Sequence, residues 1–135
     1  MALVVPPSDV LLALMGAPHT SDTASTALRT AQALLERGGT VQVWTCGYAT
    51  GLTQESLGSS KPRNVVEWAR DHPSTATVAR GMIQEFPDRL SWFVCRFCSE
   101  ERGTAEQIPE VRRRPPFKFG DHVSAATKTI FLGVI

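Results

Sequence analysis

The sequence predicts an α/β protein, a three-layer sandwich with a mostly parallel sheet of four or five strands. Residues 9–16, "DVLLALMG", form a continuous apolar run, which is typical of a central parallel strand covered on both faces. An amphipathic segment follows, and then residues 40–47, "TVQVWTCG", alternate and are rich in β-branched side chains. Strand, helix and strand within about 38 residues predict a right-handed βαβ unit with parallel strands.

The first helix is predicted between these two strands. Ser21 or Asp22 can cap its start, and Gly38 and Gly39 can end it. Its apolar and small residues recur at helical spacing: Ala24, Ala27, Leu28, Ala31, Leu34 and Leu35. This stripe predicts one face buried against the sheet.

The middle of the chain alternates between loop, helix and strand signals. Residues 49–62 predict a mobile loop, and residues 64–70 predict a short helix. Ser74 is the predicted cap of a further helix with apolar residues at helical spacing. Residues 89–95, "RLSWFVC", predict the third strand.

The last third is more polar and more broken. Residues 99–114 contain a glycine and a proline, and the predicted helix that begins near Ser99 is short. The basic cluster 112–114 precedes two prolines, so we expect a solvated loop there. Residues 115–128 predict a loop with one helical turn, and residues 129–135, "TIFLGVI", predict the final strand.

Bulk composition indicates one soluble globular domain over residues 1–135. Apolar residues make up 42% of the chain, charged residues 20%, and the net charge is +1. Such a balance indicates neither nucleic acid nor a membrane surface as a partner. The longest apolar runs fall well short of the roughly 20 residues that a spanning helix needs. The start of the chain lacks a basic region and is interrupted by Pro6 and Pro7, so we expect a cytoplasmic protein.

Several cofactor and catalytic motifs are absent from the sequence. No GxGxxG follows the first strand, and neither a GxxxxGK[ST] loop nor a GxSxG elbow occurs. Cys95 and Cys98 have the spacing of half a zinc site, but no second CxxC or HxxxH accompanies them. We therefore expect neither a cofactor nor a bound metal.

The three cysteines are the candidate functional residues. Cys95 falls where the third strand leaves the sheet, and Cys46 falls at the corresponding end of the second strand. A helix start nearby, together with Arg96, would favour a thiolate at Cys95, the nucleophilic form. Cys98 can resolve a disulfide or persulfide on Cys95, or be a bystander. The alternative for Cys95 and Cys46 is that they are small buried apolar residues, and His19 is either a group at the rim of the site or a solvated loop residue.

Three stretches of the chain together resemble a known family. They are "LLALMGAPHTSDTASTALRTAQALLERGGTVQVWTCG", "LSWFVCRFCSEERG" and "TKTIFLGVI". Their order resembles that of the DsrE/DsrF/TusD-like small sulfurtransferase family. The resemblance implies a DsrE-like, flavodoxin-like topology. It also implies homo-oligomers or hetero-oligomers with sites near subunit interfaces.

The resemblance also implies a role for one cysteine. By position, Cys95 matches the family cysteine that takes up sulfane sulfur as a persulfide and passes it to a partner protein. Cys98 has no counterpart in the family pattern, and the polar stretch before the final strand also departs from it. Sulfur-donor and sulfur-acceptor proteins are then the expected partners.

Three functions follow as hypotheses. The first is a sulfur-carrier transferase that uses Cys95 and Cys98 as catalytic residues, with Cys46, His19 and Arg96 contributing to the substrate site. The second is a non-catalytic binding or regulatory subunit in which the cysteines are structural. The third is a thiol–disulfide redox protein that uses the CxxC pair directly, although no "WC-G-P-C" context occurs.

Overall fold

The protein is built on a sheet of five parallel strands in the order β4-β3-β2-β1-β5. The computed structural model describes residues 4–17, 19, 21–60 and 72–133. The strands are β1 (Ser8–Met15), β2 (Val41–Thr45), β3 (Leu90–Cys95), β4 (Arg112–Arg114) and β5 (Ala126–Gly133). The helices are α1 (Thr23–Glu36), α2 (Thr75–Glu85), α3 (Arg96–Glu101) and α4 (Phe119–Ala125). The predicted α/β class with a parallel sheet is confirmed.

The larger core lies on the face of the sheet covered by α1 and α2. Alternate residues of the central strands point to this face, because side chains along a strand alternate between its two sides. The buried residues of both helices, mainly alanines and Leu35, pack against them. Ile108 and Val111, in the connection from β3 to β4, complete this core. The alanine stripe explains the close packing, since small side chains let a helix lie near the sheet.

The smaller core lies on the opposite face under α4. Leu11, Trp44, Phe93 and Cys95 are its buried members, and Phe119 packs against them. The connection from β4 to β5 crosses this face and carries the chain from one edge of the sheet to the other. The connection from β3 runs over the first face and that from β4 over the second. The carboxyl ends of β3 and β4 therefore flank a topological switch point, where α/β proteins commonly bind ligands.

Three predicted loops contain more regular structure than expected. The basic residues Arg112–Arg114 form the edge strand β4, because β3 offers them an open edge from Phe93 to Cys95. Residues 49–53, the start of the loop expected to be mobile over 49–62, are buried and belong to the 3₁₀ segment Gly47–Thr53, whose threonines are bonded to Thr104 and Gln107. The single predicted helical turn is the seven-residue helix α4, so the final strand begins at Ala126.

Helix α1 begins and ends near the predicted residues, but Asp22, its N-cap, makes no side-chain capping hydrogen bond. The Ser74 hydroxyl accepts a hydrogen bond from the Thr77 backbone N–H at 3.1 Å, which confirms the predicted cap of α2. Gly38, with φ of +88°, follows the end of α1 in a conformation that favours glycine. Helix α3 begins at Arg96, earlier than predicted. The helix predicted over residues 64–70 lies outside the described residues. None of the described helices has the length and apolar character needed to cross a membrane.

Candidate functional site

The three cysteines meet at the carboxyl edge of the sheet. Cys46 directly follows β2, Cys95 ends β3, and Cys98 lies on the first turn of α3. Because β2 and β3 are parallel neighbours, their carboxyl ends lie at the same edge. Cys46 and Cys98 pack against the smaller core that contains Cys95, and Cys98 is near enough to affect the pKa of both Cys46 and Cys95. We call Cys46, Cys95 and Cys98 the thiol cluster.

The members of the thiol cluster differ in access to solvent. Cys95 is only 1% exposed, whereas Cys46 and Cys98 are half-buried, and all three are free thiols. Phe93 and Cys95 are buried together in the smaller core, against which Cys46, Cys98 and Phe119 pack. A reagent from solvent therefore reaches Cys98 or Cys46 before it reaches Cys95.

Burial keeps Cys95 protonated. It raises the pKa of Cys95 to about 11, the Cys98 backbone amide opposes the rise, and the Cys98 and Cys46 thiols add to it. This direction is opposite to the thiolate expected from the helix start and the nearby arginine. The helix has only six residues, and Arg96 is exposed. At pH 7 only about one Cys95 in ten thousand carries the charge.

Trp44 is a member of the site that the sequence interpretation missed. Its indole Nε1–H donates a hydrogen bond to the Cys46 sulfur at 2.9 Å. Burial raises the pKa of Cys46, and this bond opposes the rise. A usable signal was in the sequence, because residues two apart on a strand point to the same face.

Arg96 and His19, the other candidate residues, lie in different surroundings. Arg96 directly follows Cys95 and lies close enough to Arg114 to lower the pKa of that guanidinium, after burial and Arg112. His19 is exposed and lines two surface cavities that contain no cysteine. In one of them it accompanies Tyr48, whose ring is covered by the Arg102 guanidinium at 4.9 Å.

The thiol cluster does not have the arrangement of a metal site. Within residues 4–17, 19, 21–60 and 72–133, no three histidine, cysteine or acidic side chains are placed to hold a metal ion. What the cluster offers instead is sulfur chemistry. Two thiols three positions apart, with a third in contact, can pass a sulfur atom or form a disulfide.

Fold and site together define an α/β protein with a five-stranded parallel sheet and a cluster of three thiols at the carboxyl edge of that sheet. The crystal structure of the ychN protein from E. coli is similar, with a TM-score of 0.68. The two chains are 18% identical, and the match covers 93% of this chain and 99% of the other. This likeness supports the fold. No protein-family description matches the sequence. No curated protein matches it either.

Proposed function

We propose that this protein is a sulfur carrier of the DsrE-like kind, which holds sulfane sulfur as a cysteine persulfide and passes it to a partner thiol. The observation that carries the proposal is the clustering of the three thiols at the strand ends. A carrier needs one sulfur that a donor can reach and a protected environment for the bound sulfur. Cys98 and Cys46 meet the first need, and the buried surroundings of Cys95 meet the second.

Burial counts against Cys95 and raises the pKa of Cys46, so we propose Cys98 as the first acceptor. Its thiolate attacks the outer sulfur of a donor persulfide, R–S–SH. The bond between the two donor sulfurs breaks, a new S–S bond forms on Cys98, and the donor leaves as RS⁻. An acceptor thiolate then attacks the outer sulfur, takes it as a persulfide, and releases the Cys98 thiolate. No cofactor is needed.

Cys95 provides a second way to release the sulfur. Its thiolate attacks the inner sulfur of the Cys98 persulfide, forms a Cys95–Cys98 disulfide, and expels HS⁻. The sulfane sulfur is reduced to sulfide and the two cysteine thiols are oxidised, so electrons balance. An external dithiol returns the pair to the free thiols, which suits the reducing cytoplasm we expect for this protein.

Exposed aromatic residues beside the thiol cluster are suited to partner proteins. Phe97, next to Cys98, is 53% exposed, and Tyr48 is 61% exposed on the neighbouring connection. We propose that donor and acceptor proteins dock over these rings.

The edge strand β5 exposes Ile130 and Phe131 and is a candidate surface for a homo-oligomer. Light scattering on the purified protein tests whether it self-associates.

Intact mass spectrometry tests the carrier function. After incubation with inorganic polysulfide, we expect the protein to gain the mass of one sulfur atom. The Cys98→Ser variant should lose this gain, and the Cys46→Ser variant should keep it. The Cys95→Ser variant should keep the bound sulfur and release less sulfide.

The outcomes test two things separately: whether the protein carries sulfur, and which cysteine takes it up first. A gain that disappears in Cys95→Ser but persists in Cys98→Ser would keep the function and make Cys95 the first acceptor. Absence of any gain in the wild-type protein would reject the carrier function.

The contact between Cys95 and Cys98 also favours a second candidate, a thiol–disulfide redox protein. Equilibration with a glutathione redox series distinguishes the two. A Cys95–Cys98 disulfide that forms without sulfane sulfur, at a potential typical of redox proteins, would favour the redox role. Thiols that neither take up sulfur nor form this disulfide would indicate a binding or regulatory subunit.

A further inference from the structure

A further cavity, lined by none of the three cysteines, lies at the edge of β3. Strand β4 pairs only with Phe93, Val94 and Cys95, so the first half of β3 has no strand neighbour on that side among the described strands. The cavity of about 330 Å³ opens there. This volume is at the lower end of the range for small-molecule sites. We call it the edge cavity.

Basic side chains dominate one wall of the edge cavity. Arg112, Arg114 and Lys118 line it, and the Arg114 guanidinium lies over the Phe93 ring at 5.6 Å. Lys118 is 3.6 Å from Asp121. Arg112 and Arg114 have no carboxylate partner among the described residues. Burial lowers the pKa of Arg114, and the positive charges of Arg112 and Arg96 lower it further, so these cations repel one another. An anion in the cavity would relieve that repulsion.

Buried polar atoms of the cavity residues lack partners. His122 is 1% exposed and Trp92 is 3% exposed, and both line the cavity. His122 Nε2, Trp92 Nε1 and Glu110 Oε2 are buried without a hydrogen-bond partner in the described structure. The other Glu110 oxygen binds Arg80 at 2.9 Å. Leaving such groups unsatisfied is unfavourable, so a ligand that meets one of them is favoured.

The hydrogen bonds of Gln42 indicate which partner His122 needs. Gln42 Nε2 donates to the Pro6 carbonyl at 3.3 Å, which turns its Oε1 toward His122 Nδ1 at 2.8 Å. Nδ1 therefore carries the proton in the neutral ring, and Nε2 has a free lone pair. His122 Nε2 and Glu110 Oε2 both accept, whereas Trp92 Nε1 donates. His122, Arg112 and Arg114 lie on the α4 face of the sheet, whereas Trp92 lies on the other face, so a hydroxyl group on an anion held by these arginines can donate to His122 Nε2.

We propose that the edge cavity binds a small organic anion that carries a hydroxyl group. The anionic group binds Arg112 and Arg114, and the hydroxyl group donates a hydrogen bond to His122 Nε2. This site is separate from the thiol cluster and does not depend on sulfur transfer.

Three single-ring probes of similar size test the ligand class. The first probe, 3-hydroxybenzoate, carries both the charge and the hydroxyl group. Benzoate lacks the hydroxyl group, and 3-hydroxybenzyl alcohol lacks the charge. Each is titrated into ¹⁵N-labelled full-length protein at low salt, with the assigned His122 ring nitrogen signal as the reporter. We expect a saturable shift with 3-hydroxybenzoate, and about tenfold weaker binding for each of the other two, from the loss of one charge-assisted or buried hydrogen bond.

The arginine triplet supplies a matched control. Arg114→Gln should weaken 3-hydroxybenzoate about tenfold. Arg113 alternates to the opposite face of β4 and pairs with Glu100 at 3.6 Å, so Arg113→Gln should leave the affinity unchanged. The same spectra show whether each variant is folded. A His122 signal that no probe shifts, equal affinity for all three probes, or equal weakening by both substitutions would overturn the proposal.

Discussion

Lowering the pH should destabilise this protein through His122. The ring is buried between Trp44 and Phe93, with centroid distances of 5.2 and 4.4 Å, and its Nδ1 is bonded to Gln42. Burial lowers the pKa of His122 to about 4, Arg114 adds to this, and Asp121 opposes it. The folded protein therefore holds the ring neutral well below its ordinary pKa of 6.5.

The sign and size follow from proton linkage. Between about pH 6.5 and about pH 4 the unfolded chain binds the proton and the folded chain does not, so the free energy of unfolding falls as the pH falls. Below about pH 4 both states bind it and this loss stops. The gap between the two pKa values corresponds to about 3 kcal/mol. That is a large part of the stability of a typical small domain.

Urea unfolding from about pH 7 to about pH 4 measures the loss, with the His122→Asn variant as the comparison. Carboxylates titrate in both proteins, so the difference between their pH profiles isolates the histidine. We expect the wild-type protein to lose about 3 kcal/mol more than the variant over this range. Parallel profiles would refute the reasoning. If the variant does not fold, NMR titration of the His122 ring decides, and a pKa near 6.5 would refute it equally.

Two further predictions concern single hydrogen bonds. Ser74→Ala should lower the free energy of unfolding by about 1 to 2 kcal/mol, because the cap of α2 is lost. The control, Ser25→Ala at an exposed position of α1, should change it by only about a few tenths of a kcal/mol. Urea unfolding measures both values. Trp44→Phe should raise the pKa of Cys46 by about one pH unit and slow its alkylation, measured by peptide mass spectrometry across pH. Trp92→Phe, whose indole has no partner among the described residues, should leave the Cys46 profile unchanged.

The elements that could be predicted are those whose signals are local. The apolar run of β1, the alanine stripe of α1 and the Ser74 cap of α2 each depend on residues close in the sequence. The edge strand β4 could not be predicted from nearby residues, because three arginines form a strand only where β3 offers an open edge. The 3₁₀ segment Gly47–Thr53 is buried for a similar reason, since its threonines are bonded to residues some 54 to 57 positions later.

The candidate site was predictable in position but not in electrostatics. Cys46 and Cys95 end neighbouring strands, which the βαβ pattern already implied. The burial that raises the pKa of Cys95 depends on the smaller core, against which Phe119 of α4 packs, in a segment that reads as a loop. The sign of a pKa shift at a strand end therefore depended on a distant segment.

The raised pKa of Cys95 limits the steps in which this thiol can take part. About one Cys95 thiol in ten thousand is ionised at pH 7, so Cys95 is a weak nucleophile toward a donor in solution. Its burial also keeps the donor from reaching it. An attack on a sulfur held by Cys98 is different, because the two thiols are already in contact. Holding the two groups near each other lowers the barrier to this attack and offsets part of the deficit in thiolate. In the sulfur carrier that we propose, the raised pKa of Cys95 favours uptake at Cys98 and release through Cys95.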